Sequence, residues 1–133
     1  MRSIRRSFPA RRVCLVAALA VLFAGCSGSP HGGSVDTDRA RETLKLALDG
    51  WKNGEEPSAL KDGSPSITVQ DMDWLAGAKL VDYQVAGEGK TVASNLHVPV
   101  KLTIRPKQGK DVKKSVSYII GTSPILTVFR DFR

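Results

Sequence analysis

The sequence predicts an α+β domain: an N-terminal helix packed on a curved antiparallel meander sheet of four or five strands. Ala40, Leu44, Ala47, Leu48 and Trp51 recur at steps of four, three, one and three, the apolar stripe of a helix buried along one side. Leu96, Val98, Val100, Leu102 and Ile104 alternate with His97, Pro99, Lys101, Thr103 and Arg105, the period of a half-buried strand. Pro99 in the middle of that run cannot donate to a neighbour, so it implies an edge or a bulge where the strand bends. A bent sheet is the shape that wraps a helix, and the helix stripe has no other apolar face to bury against.

The elements follow in order. The helix covers about residues 38–53, with Asp36 and Thr37 offering N-cap oxygens, Asp38 complementing the dipole and Gly54 stopping the chain as the C′ residue. Trp51 reads as a core anchor. Residues 57–61 suit one helical turn, broken by Gly63 and Pro65. Residues 67–72 read as a short strand and 73–77 as a tight connection. Residues 79–86 alternate weakly, with Val81, Tyr83 and Val85 on one side, before the glycines at 87 and 89. After the long strand, a second alternating run holds Val112, Val116, Tyr118 and Ile120. Pairing Ile104 with Val112, Val100 with Val116, Val98 with Tyr118 and Leu96 with Ile120 makes every pair apolar, and a one-residue slip would ruin all four. That register sets Arg105 across from Asp111 and Lys114 across from Leu102. A last strand covers 125–130.

The segment ahead of the domain carries a different message. Arg2, Arg5, Arg6, Arg11 and Arg12 precede an uncharged apolar run over 13–24. Twelve residues make a helix of roughly 18 Å, against about 30 Å of hydrocarbon core, so the run suits a cleaved signal rather than a membrane span. The closing residues Leu22, Phe23, Ala24, Gly25 and Cys26 resemble the lipobox of bacterial lipoproteins. The resemblance implies residues 1–25 as signal peptide, acyl chains such as palmitate on Cys26, and 26–35 as lipidated cysteine and flexible tether to a domain at 36–133. It implies a cell-envelope localisation, membrane-anchored, at a periplasmic or outer surface. Arg5, Arg6, Ser7 and Phe8 resemble part of the twin-arginine export motif, and a general basic n-region accounts for the same arginines.

Cleavage changes the charge balance. Residues 1–25 hold five of the 20 Lys and Arg and none of the 13 Asp and Glu, so the formal +7 falls to +2 over the remaining 108 residues. The basic character belongs mostly to the signal, which removes the main argument for nucleic-acid binding. Cys14 leaves with the signal and Cys26 carries lipid, so the domain is expected to have no disulfide and no thiolate metal site.

Three groups of residues invite a chemical reading. Asp71 and Asp73 suggest a cation loop, but the sixth and twelfth positions from Asp71 are Ala76 and Asp82, where an EF-hand requires Gly and Glu. They read instead as turn caps, with Gly77 supplying a positive φ. His97 is the one histidine in the domain, and its register points it away from the main apolar face, without a proton relay. No catalytic residue, metal or cofactor is therefore assigned. Lys101, Arg105, Lys107, Lys110, Lys113 and Lys114 cluster around one hairpin whose single acid is Asp111, a basic tip suited to anionic headgroups or envelope polymer. Lysines also protect hairpin edges from pairing.

The order of helix and bent strands resembles the cystatin-like and NTF2-like α+β rolls over residues 36–133. There is a looser resemblance to uncharacterised bacterial exported domains at residues 51–54, 71–77 and 124–128. The expected role is a non-catalytic binding or accessory module contacting an envelope protein or anionic polymer. The alternatives are an NTF2-like enzyme using the concave sheet face and a structural lipoprotein leaning on an anionic surface through the basic hairpin.

Overall fold

The computed structural model describes residues 34–133. Its elements are α1 (Thr37–Lys52), α2 (Pro57–Lys61), β1 (Ile67–Gln70), α3 (Met72–Leu75), β2 (Lys79–Val85), β3 (Lys90–Val92), β4 (Asn95–Arg105), β5 (Val112–Gly121) and β6 (Leu126–Asp131). Six strands form one curled sheet in the order β1-β6-β5-β4-β2, with β3 paired beside β2 along the same side of β4.

Local chemistry explains the helix limits. The Asp36 side chain accepts the Arg39 N–H at 3.0 Å, which satisfies one of the orphan donors of the first turn. At the other end, Glu55 N–H donates to Gly50 O and Gly54 N–H to Trp51 O. This paired closure needs the left-handed backbone that Gly54 supplies at φ 85°. The stripe of Ala40, Leu44, Ala47, Leu48 and Trp51 is at most 2% exposed against the sheet, and Val35 packs into the same core.

The β4–β5 register is the one the apolar pattern required: Leu96 opposes Ile120, Val98 Tyr118, Val100 Val116 and Ile104 Val112. Pro99 lies mid-strand in a central strand, not at the sheet's edge. Its carbonyl accepts the Ala86 N–H, and in a strand the N and C=O of one residue point to the same side. The missing donor therefore faces the junction between β3, which pairs with Asn95 to His97, and β2, which pairs with Val100 to Arg105.

Three expectations are corrected. The sheet is mixed, not an antiparallel meander, because β1 runs parallel to β6 at the sheet's edge, with Ile67 opposite Leu126. Residues 71–75 then turn as a single helical turn, so Met72 belongs to α3 and not to the strand. In β2 a bulge between Leu80 and Asp82 shifts the alternation. Leu80 takes the buried position opposite Ile104, Val81 is the extra residue, and Tyr83 and Val85 follow on the inner face.

The helix–sheet interface carries the stability. Leu48→Ala, at 1% exposure, is expected to cost roughly 2–5 kcal/mol in urea unfolding. Leu46→Ala on the same helix, 41% exposed, should cost less than about 1 kcal/mol. Equal losses would mean that the stripe is not the buried face.

Candidate functional site

One polar cluster sits inside this apolar frame. Asp71 is fully buried, and its two oxygens are completely used. Oδ1 accepts the N–H groups of Asp73 and Trp74 at 2.9 and 3.1 Å, capping α3. Oδ2 accepts the Tyr118 hydroxyl at 2.6 Å and Arg130 Nε at 2.9 Å. Arg130 also reaches Asp73 through Nη1 at 2.7 Å, and its guanidinium stands 5.7 Å from the centre of the Tyr118 ring. Lys114 Nζ closes the set with bonds of 3.0 and 3.1 Å to Asp73. Two carboxylates thus meet two cations, and α3, β5 and β6 are joined by side chains.

The electrostatics follow from burial and partners. Burial alone would raise Asp73, but bonds from Lys114 and Arg130 outweigh it and hold the carboxyl below its ordinary value. Burial pushes the Tyr118 hydroxyl far up, and the neighbouring Asp71 charge pushes it further, so it stays a neutral donor. Tyr83 on β2 behaves alike: burial and its 2.7 Å bond to Asp49 raise it to about 12. These groups are locked in structural bonds, and none is poised to exchange a proton near neutral pH. Asp71 and Asp73 do mark a turn, with Gly77 at φ 85°. Sequence reasoning missed Arg130 as their partner. The signal was present: Leu126, Val128 and Arg130 fall at period two, which puts an arginine on the inner face.

The tryptophans lie at the C-terminal end of α1. Trp51 and Trp74 stack at 5.1 Å and 6°, and each indole N–H is used, Trp51 on Ala78 O at 2.8 Å and Trp74 on Glu55 O at 2.9 Å. Trp51 is the core anchor that its helical position implied.

The basic hairpin residues separate into two groups. Arg105 pairs with Asp111 at 2.7 and 3.1 Å, and Lys114 turns inward to Asp73. Lys107 lies across the turn after α3, where a Cβ on Gly77 would overlap its side chain. Lys110 is exposed in the loop. Lys101 and Lys113 stand on the outer face of the sheet, opposite Ser115 and Thr103 respectively. Neither has a carboxylate partner among the described residues. With Asp82, Gln84, Thr103 and Ser115 they line an open depression of about 390 Å³. His97 is on the outer face as expected, its Nδ1 4.0 Å from Asp131. Cys26 lies outside the described residues.

Removing Arg130 would leave Asp71 as a buried charge without its counter-ion. Arg130→Ala is expected to destabilise by about 3–5 kcal/mol in chemical unfolding, while Arg105→Ala at the exposed pair should cost less than about 1 kcal/mol. The pH dependence has a definite sign. Because the folded state lowers the Asp73 pKa, its contribution is complete above the ordinary carboxylate range and is lost as pH falls through the lowered value. Lys114→Met should therefore flatten the acid limb of a stability–pH curve, and an unchanged limb would refute the assignment.

No family model, curated protein sequence or solved structure matches the chain. The functional reading rests on the chain's own residues and geometry.

Proposed function

We propose that the protein is an envelope lipoprotein, anchored to its membrane through a lipidated Cys26, whose domain is a non-catalytic binding or accessory module of cystatin-like or NTF2-like type. The observation that carries the non-catalytic reading is the filled concave face. The α1 stripe, at most 2% exposed, occupies the space where an enzyme of this shape would need a substrate pocket. The acids beside it, Asp71 and Asp73, already accept bonds from Arg130, Tyr118 and Lys114. A helix wrapped by a curled sheet supports the likeness to those rolls, and the parallel edge strand β1 departs from the meander that suggested it.

Anchoring is supported by the sequence over 13–26: a short uncharged apolar run, small residues, then cysteine. Among the described residues no helix is long and apolar enough to cross a membrane. The surface-contact alternative draws on the same hairpin, but Arg105 and Lys114 are engaged by Asp111 and Asp73, which leaves Lys101, Lys107, Lys110 and Lys113 to carry it.

Labelled palmitate supplied to cells expressing the chain should be incorporated and should sediment with membranes. Cys26→Ala should incorporate none and keep its signal, visible as an uncleaved mass. A wild-type product that retains Met1, or starts elsewhere without acyl chains, would sink the anchoring proposal.

A further inference from the structure

The outer face of the sheet carries a regular array that the core does not need. On three adjacent strands, Asp82, Thr103 and Lys113 stand in one row, and Gln84, Lys101 and Ser115 in the next. Alternation puts all six side chains on the face opposite the helix. The rows contain two ammonium groups, two hydroxyls, an amide and one carboxylate. That carboxylate is already engaged, since Asp82 accepts Lys52 Nζ at 3.1 Å. The two lysines sit diagonally across β4 and β5, where such neighbours are roughly 7–8 Å apart. Their charges are not neutralised by any carboxylate among the described residues.

From this array we infer that the outer-face depression is a binding surface for an anionic polysaccharide. Lys101 and Lys113 would meet its charged groups, and Thr103, Ser115 and Gln84 would hydrogen-bond its hydroxyls. The inference deepens the proposed binding role by naming the partner's chemistry. Charge complementarity selects an anion. The neutral lining selects a hydroxylated chain over a lipid surface, because no apolar side chain stands in either row to enter a bilayer. Position supports the same choice, given anchoring through Cys26. The described chain begins at the end of the sheet where Asp36 N–H meets Thr122 Oγ1. Lys113 lies eight residues back along β5 from Gly121, roughly 26 Å at strand rise. The array thus lies toward the far end of β5 from where the described residues begin.

The test uses the full chain in neutral detergent, titrated with polygalacturonate, with uncharged dextran, and with micelles doped with phosphatidylglycerol. Saturable binding to polygalacturonate is expected, weakened by added salt, with none to dextran. Lys101→Glu combined with Lys113→Glu should weaken it by about tenfold or more, whereas Lys107→Glu combined with Lys110→Glu should change it by less than about threefold. Matching thermal melts would confirm that both variants fold. The inference is overturned by absent binding, by an equal loss in both variants, or by a preference for the doped micelles, which would assign the lysines to headgroups. Failure of the anchoring reading is separate: it would show in the mass of the purified chain and leave the titration unaffected.

Discussion

The structure turns on one buried carboxylate. Asp71 has no contact with water, so its charge must be answered inside the protein or the fold loses several kcal/mol. Four donors answer it, and they come from three places: the first turn of α3, Tyr118 on β5 and Arg130 on β6. Tyr118 contributes because its phenol stays protonated, and Arg130 because it extends to Asp73 as well. Lys114 then balances the second carboxylate. Each member is held by at least one other, and Arg130 Nη2 adds an ion-pair contact of 2.8 Å to Asp71 Oδ2, so the side chains tie α3, β5 and β6 together.

That carboxylate also accounts for the sheet's least local feature. Strand β1 pairs with β6 in parallel, from Ile67 opposite Leu126 to Gln70 opposite Phe129. One more step in the same register sets Asp71 opposite Arg130, which is where the ion pair forms. A four-residue edge strand has few ladder bonds with which to define its own alignment. A slip by one residue would withdraw Ile67 from the core and separate the charges, so an apolar term and an electrostatic term select the same register. The parallel strand and the ion network are one device for seating the chain between α2 and β2.

Much of the fold was legible because its strongest signals are local or nearly so. The α1 stripe, the Asp36 cap and the Gly54 stop lie within one segment, and the β4–β5 hairpin announces its register by placing apolar residues on both strands. The parallel edge strand was not legible: Ile67 and Leu126 are 59 positions apart, and four residues carry too little pattern to name a partner. The bulge at Val81 was hidden because Val81, Tyr83 and Val85 already alternate, and only the pairing of Leu80 with Ile104 reveals the extra residue. Arg130 was overlooked because a charge at the inner-face position looks like the end of a strand until its acids are known. In the basic hairpin, sequence grouped six cations by proximity, whereas the pleat divides the four on the strands between the two faces and leaves Lys107 and Lys110 in the loop.

This division bears on what the protein can touch. A cluster of lysines around a loop tip suggests electrostatic contact made end-on, with every charge available. The pleat instead spends Lys114 on an internal carboxylate and pairs Arg105 with Asp111. It leaves Lys101 and Lys113 standing side-on among hydroxyls, on a face the helix does not cover. A side-on array on regular strands has fixed spacing, unlike lysines on a loop, so it favours a ligand with repeated groups over diffuse charge attraction. The core that engages Asp71 from within and the outer rows that leave two ammonium groups unpaired are products of the same alternation along β4 and β5. Any change that slipped that register would therefore disrupt the core and the outer rows together.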